Sequence, residues 1–230
     1  MPVQGRPLLE YWFSILQKAK ISNVLVNTHH HSDLVIDFLQ RPSLVDWVKA
    51  IYEKDLLGTA GTLRVNKDFF YESTVLLVHA DNLCCCDFPK FLNFHHNERP
   101  KGTLMTMMTF RTPKPTTCGI VEIDNDGVIQ AFHEKVLNPP SNLANAAVYL
   151  IEPEIVDWIL QHPKVSDFST EVLPHFVGRI ATWQNKNVLR DIGSIDMLRD
   201  AQSDNCLVPD WPDDSWNKNF LHNPIHQQIL

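Results

Sequence analysis

Ser73-Thr-Val-Leu-Leu-Val-His79 is an unbroken apolar run, and Ala80-Asp81-Asn82 follows it directly. A strand reads as continuously apolar, rather than alternating, when both faces of its sheet are covered. The stretch therefore predicts a buried strand of a layered α/β fold, with a carboxylate just past its end. Ligands of open α/β sheets bind beyond the carboxyl ends of the strands. Asp81 thus falls where a site is expected, and beside Asn82 it suits a hard divalent cation. The plainer reading of Asp81 is a cap on the next helix.

Working outward, Pro7 to Ala19 reads as a helix, with Leu8, Leu9, Trp12, Phe13, Leu16 and Ala19 on one face. Asn23–Asn27 reads as a short buried strand, Asp33–Leu39 as a helix capped by Ser32, and Leu44–Tyr52 as a third amphipathic segment. Downstream, Leu104–Phe110 is a strand. Cys118–Ile123 and Val128–Phe132 form a hairpin around Asn125-Asp126-Gly127, where Asp-Gly supplies positive φ angles. Ala146–Ile151 is a strand, Glu154–Leu160 a helix, and Ser194 caps a last helix over Ile195–Ala201. Strands alternating with helices predict a mixed, mainly parallel sheet with helices on both faces. Residues 1–202 are expected as one domain and 203–230 as an extended tail. Trp211, Trp216, Phe220 and Leu221 would anchor that tail to the body or to a neighbouring subunit of a homo-oligomer.

The 230 residues, 44% of them hydrophobic, suffice for a large core, and the net charge is -7. An acidic total argues against a nucleic-acid partner. The apolar segments are short and broken by charges, so no membrane span is expected. The first residues lack the pattern of a signal peptide. Cys84, Cys85, Cys86, Cys118 and Cys206 are odd in number, and three are adjacent. They read as buried thiols in a reducing cytoplasm. Neither the cysteine run nor His29–His31 has the ligand spacing of zinc.

Other residues carry chemistry only in company. Asp191, in Arg190-Asp-Ile-Gly-Ser194, could meet Asp81 on one magnesium ion, which takes one or two carboxylates plus phosphate oxygens. Gly58-Thr-Ala-Gly-Thr62 is a small-residue loop where a backbone can approach a ligand closely, but it has no Walker lysine. Lys135 could neutralise a phosphate and Glu134 accept sugar hydroxyls, or the two could form a plain surface ion pair. Asn145 could hydrogen-bond a sugar or shape a turn.

The order of these segments is more telling than any one of them. Gly58-Thr-Ala-Gly-Thr62, Val78-His-Ala-Asp-Asn82, Cys118-Gly-Ile-Val-Glu122, Phe132-His-Glu-Lys135, Asn145-Ala-Ala-Val-Tyr-Leu150 and Asp191-Ile-Gly-Ser194 together resemble the sugar nucleotidyltransferase family over roughly residues 1–202. The Gly-Thr-Ala-Gly segment is most similar to the mannose-1-phosphate and heptose-1-phosphate guanylyltransferases. The resemblance implies a Rossmann-like fold. Its reaction joins a nucleoside triphosphate, GTP favoured, and a sugar 1-phosphate into a nucleotide sugar and pyrophosphate. It implies that Asp81 and Asp191 bind catalytic Mg2+, and that Gly58, Thr59 and Gly61 contact the base. Gly119, Glu134 and Asn145 would hold the sugar and Lys135 its phosphate, with Glu171 near another sugar contact.

The match has departures. The family's first strand, its loop of the form G-x-G-T-R-x-R-P and a following lysine are not among these residues; Met1-Pro-Val-Gln-Gly-Arg-Pro-Leu-Leu9 aligns with the segment after them. Val136 stands where proline is usual, and Ala146 where glycine is usual after Asn. Two explanations are open: a start about 25 residues further upstream, the length of a strand and turn, or a shortened relative. Low transfer activity is the expectation for these residues alone. The alternatives are a non-catalytic sugar-phosphate-binding or regulatory subunit, and a metal-dependent glycosyltransferase using Asp81.

Overall fold

The computed structural model describes residues 1–70 and 72–229. In chain order the first elements are β1 (Pro2–Val3), β2 (Arg6–Pro7), α1 (Leu8–Lys18), β3 (Val24–Thr28), α2 (Ser32–Leu39) and β4 (Val48–Tyr52). Then come α3 (Thr59–Val65), α4 (Lys67–Phe70), β5 (Val75–Val78), β6 (Asn82–Cys84), α5 (Phe88–Asn93) and β7 (Met105–Arg111). The hairpin β8 (Gly119–Ile123) and β9 (Ile129–Glu134) precedes β10 (Leu143–Ile151), α6 (Pro153–Gln161), β11 (Ile180–Gln184) and β12 (Leu189–Asp191). The chain closes with α7 (Ile195–Ala201), α8 (Ser215–Leu221) and α9 (Ile225–Gln228). The fold is mixed α/β, as expected, and it divides into two compact units.

One unit comprises residues 1–56, 80–88 and 187–230. Pro7 opens α1, whose Leu8, Tyr11, Trp12, Phe13 and Leu16 are all buried. β3 and β4 pair in parallel from Val24 opposite Val48 to Thr28 opposite Tyr52, with α2 as the crossover between them. β6 and β12 form an antiparallel ladder. Its Leu83 lies in a core with Val3, Leu8, Tyr11, Ile192, Leu198 and Ala201. Arg41 is buried and binds Glu10, Asp214 and Asn217. A buried guanidinium tolerates the loss of water because each partner supplies an acceptor.

Several local expectations are corrected in this unit. The tail is not extended throughout: its described residues 203–229 contain α8 and α9. The tail packs onto the body, with Trp211 Nε1 donating to Ser43 Oγ at 3.0 Å and Trp216 Nε1 to Asp37 Oδ2 at 2.8 Å. Phe220 stacks on Trp216, and Leu221, 54% exposed, reaches the body beside Gly5. Within Leu44–Tyr52 only Val48–Tyr52 is regular, and it is a strand, because Ala50 and Ile51 take up the ladder to β3. Ser32 is the first residue of α2 and His31, in a left-handed conformation, precedes it without a side-chain cap. Cys85 and Cys206 form a disulfide; their Cα atoms lie 5.9 Å apart, within the span a disulfide bridges. Cys84, Cys86 and Cys118 remain thiols.

The other unit comprises residues 57–79 and 89–186. Its sheet runs β11-β7-β10-β8-β9, and β5 also pairs with β10. β11 is parallel to β7, while β10 is antiparallel to β5, β7 and β8. Since β7 takes one edge of β10, the other is shared: Ala144 faces Ile120 of β8, and from Val148 onward the partner is β5. The exchange happens at a bulge between Asn145 and Tyr149. A core of Met105, Met107, Val121, Ile129, Tyr149, Ile155, Phe168 and Ile180 fills this unit.

Candidate functional site

The β6–β12 ladder sets Asp191 opposite Asn82, the residue next to Asp81. Asp81, which immediately precedes the ladder, and Asp191, its last residue on the other strand, are thereby neighbours along the backbone though remote in sequence. The ladder is firmly seated: Trp12 Nε1 of α1 donates to the Asn82 carbonyl at 2.9 Å, and Leu83 is fully buried. Asp81, Asp191 and Gly193 all stay exposed. The Asp191 carboxylate leans over Gly193, where a Cβ would lie 3.4 Å from its Oδ1. Ser194 caps α7 as expected, accepting from Met197 N at 3.2 Å. Among the described residues no group of three or more His, Cys, Asp or Glu side chains could hold a metal. Two hard carboxylates do fit magnesium, which usually completes its shell with phosphate oxygens and water.

Gly119, Glu134 and Asn145, three of the residues expected to hold the sugar, lie together beside the bulge in β10. Gly119 pairs with Glu134 across the hairpin. The facing of Ala144 and Ile120 sets Asn145 beside Gly119. A Cβ on Gly119 would come within 2.6 Å of the Phe132 ring and 2.7 Å of Glu134 Oε2. Glycine here is what lets the Glu134 carboxylate lie across the strand. Lys135 follows β9 at φ 49°, with its side chain 67% exposed and its Nζ 3.8 Å from Glu134 Oε1. The plain ion pair is thus present, and the ammonium remains open to water.

Asn145 is occupied within the bulge itself. Its Oδ1 accepts from Ala147 N at 2.9 Å, and its Nδ2 donates to Tyr149 Oη at 2.6 Å. Each polar atom keeps a second bonding direction, so a ligand hydroxyl can still be met. The backbone with positive φ is at Ala147 (54°), and its carbonyl accepts from His79 N. The position glycine would relieve is therefore Ala147 rather than Ala146. Tyr149 is 1% exposed; burial pushes its hydroxyl up to about 12, helped by the nearby Glu134 carboxylate.

Gly58-Thr-Ala-Gly-Thr62 is not a free loop: Thr59 to Thr62 are the first turn of α3. Gly58 sits at φ 73°, and a Cβ there would run into the Ser166 carbonyl. That carbonyl accepts from Ala60 N at 2.9 Å. Glu171 Oε2 takes Ser166 N at 2.8 Å, Asp167 N at 2.7 Å and Ser166 Oγ at 3.2 Å. These amide donors hold its carboxyl below the usual range. Glu171 thus braces the turn that holds Gly58. Ser166, Phe168 and Tyr149 belong to this architecture without any sequence spacing that marks them.

Residues 1–206 match the family model described as nucleotidyl transferase. A Sulfolobus acidocaldarius protein provisionally named a mannose-1-phosphate guanyltransferase is 27% identical over 207 residues, 86% of this chain and 55% of that protein. The mannose-1-phosphate guanylyltransferase of Mycobacterium tuberculosis is 27% identical over 199 residues, 84% of this chain and 54% of that protein. The chain spans about half the length of these curated relatives. Among solved structures, a Bacillus anthracis protein provisionally assigned as a glucose-1-phosphate thymidylyltransferase has a TM-score of 0.78 at 19% identity. It covers 95% of this chain and 89% of its own, a likeness of Rossmann-like fold.

Proposed function

The chain belongs to the nucleotidyl transferase family, and from that premise we propose that it serves sugar-1-phosphate nucleotidyl transfer with Mg2+. The observation that carries this reading is the register that sets Asp191 opposite Asn82, next to Asp81. In the proposed reaction an oxygen of the sugar 1-phosphate attacks the α-phosphorus of a nucleoside triphosphate. A new P–O bond forms there as the bond to the β-phosphate breaks and pyrophosphate departs. Such chemistry needs positioning and charge neutralisation, with no covalent enzyme intermediate.

Asp81 and Asp191 would hold Mg2+, which when bound supplies positive charge against the developing charge of the phosphates. Lys135 brings an open ammonium to the sugar phosphate, as a point charge. Glu134 and Asn145 receive sugar hydroxyls beside Gly119, whose missing side chain lets the Glu134 carboxylate lie across the strand. Gly58, Thr59 and Gly61 approach the base with backbone held by Ser166. GTP is the favoured nucleotide, on the Gly-Thr-Ala-Gly segment and the names of the two relatives. Among the described residues no helix is long and apolar enough to cross a membrane. A cytoplasmic setting is part of the same proposal, and the Cys85–Cys206 bond makes thiol labelling in cells its check.

No stretch of these residues reads G-x-G-T-R-x-R-P. Backbone amides and cations of such a loop cradle a polyphosphate. A polypeptide of these 230 residues alone is therefore expected to turn over little, and to recover when such a segment is supplied ahead of it. The open Lys135 ammonium close to Glu134, with Asn145 beside Gly119, also suits a second reading, a sugar-phosphate-binding subunit without turnover. Calorimetric titration with mannose 1-phosphate tests what both readings share. Lys135→Ala should weaken binding about tenfold or more, the worth of one charged hydrogen bond. Unchanged affinity removes Lys135 from the site, and no binding by the unaltered chain rejects both readings. Pyrophosphate release with GTP, UTP or dTTP then separates enzyme from binding subunit.

A further inference from the structure

Tyr149 stands between two groups of residues that the proposed function assigns to different parts of the substrate. On one side Asn145 Nδ2 donates to its hydroxyl, and Asn145 Oδ1 fixes Ala147 N within the bulge. On the other side the Tyr149 ring packs on Phe168 with centroids 5.0 Å apart. Phe168 and Ser169 lie in the segment 165–171, which is braced at every step. Asp167 Oδ1 takes Thr170 N and Thr170 Oγ1, each at 2.7 Å. Glu171 closes back on Ser166 and Asp167. From this segment the Ser166 carbonyl reaches Ala60 N, and the Val165 carbonyl accepts from Arg64 Nη1 at 2.6 Å.

We infer that Tyr149, Ser166 and Glu171 are positioning residues, forming a strut that couples the first turn of α3 to the bulge of β10. Packed side chains and saturated hydrogen bonds transmit displacement because close-packed interiors deform little. A ligand that orders the Gly58–Gly61 turn therefore orders Asn145 as well, and the converse follows by linkage. Base and sugar subsites are then cooperative. Glu171, on this inference, acts through the backbone of Ser166 and Asp167 instead of touching sugar. The inference rests on the proposed assignment of Gly58–Gly61 to base and Asn145 to sugar.

Two measurements on the 230-residue chain test it. The first needs no ligand: amide hydrogen exchange at Ala60 and Ala147 in Tyr149→Leu, which removes both the hydroxyl and the ring, and in Glu171→Ala. Each variant should speed exchange at both amides by about fivefold, the value of one hydrogen bond. Acceleration confined to Ala147 in the first and to Ala60 in the second would overturn the strut. The second uses mannose 1-phosphate as sugar probe and GMP as base probe. Saturating GMP should tighten mannose 1-phosphate binding about fivefold in the unaltered chain. The gain should vanish in Tyr149→Leu and Glu171→Ala and return in Glu171→Gln, which keeps an acceptor oxygen. Binding of both probes with no mutual effect rejects the coupling alone. Binding of neither rejects the proposed function, and the exchange measurement still decides the strut.

Discussion

Ala147 holds a left-handed backbone, φ 54°, in the middle of a nine-residue strand. An L-residue pays about 1 kcal/mol for that conformation, which glycine adopts freely. The Ala147 carbonyl and amide are both engaged, so the bulge is held in spite of the strain. Ala147→Gly should accordingly raise stability by about 0.5 to 1 kcal/mol in a urea titration with an unchanged slope. A loss of stability would mean that the methyl group packs better than the backbone strain suggests. At this scale the sequence was partly legible. Asn145, Gly119 and Glu134 could be named from their motifs, since each motif is short and local. Their meeting could not, because it depends on Ala144 facing Ile120 and Gly119 facing Glu134. Nor did anything around Tyr149 or Ser166 betray a role, for a buried tyrosine and a loop serine look the same wherever they occur.

The π-helical turn Phe94–Glu98 shows how one element is pinned to another. His95 is fully buried; its Nδ1 faces Thr106 Oγ1 of β7 at 2.8 Å and its Nε2 faces Glu152 Oε1 at 2.9 Å. A neutral imidazole satisfies both, donating from Nε2 to the carboxylate and accepting at Nδ1 from the hydroxyl. Burial, aided by the Arg99 guanidinium, brings its pKa down to about 4 from 6.5. The unfolded chain then binds a proton that the folded chain refuses. Stability from this site is complete above about pH 6.5 and is lost as pH falls towards 4, by about 2 to 3 kcal/mol. Denaturant midpoints across that range should fall more steeply for the unaltered chain than for His95→Gln. Parallel curves would show that His95 carries no charge penalty. Elements with strong local signals were readable: β5, the β8–β9 hairpin, α6 and the Ser194-capped α7 all lie within a few residues of their expected places. Those whose identity depends on a distant partner were not. Val48–Tyr52 is a strand because of β3, and the first turn of α3 is helical against a carbonyl a hundred residues away.

The two units divide the proposed chemistry between them. Asp81 and Asp191 belong to one, whereas Gly58, Gly119, Glu134, Lys135, Asn145 and Glu171 belong to the other. The order of motifs along the chain gave the family, and no periodicity or composition gave this division, because each unit is assembled from separate segments. The unit holding the aspartates is further tied by Cys85–Cys206, across 121 residues, and by Arg41 to α8. A bond between residues so distant leaves no trace in cysteine spacing.

Electron paramagnetic resonance of Mn2+, titrated into the chain with GTP present, bears most directly on whether residues 81 and 191 share one ion. A protein-bound Mn2+ signal should appear with the unaltered chain. Asp81→Asn and Asp191→Asn should each weaken that binding at least tenfold, the loss of one charged ligand, and the double variant little further. Full binding by either single variant, or none by the unaltered chain, would contradict a shared metal site on the β6–β12 ladder.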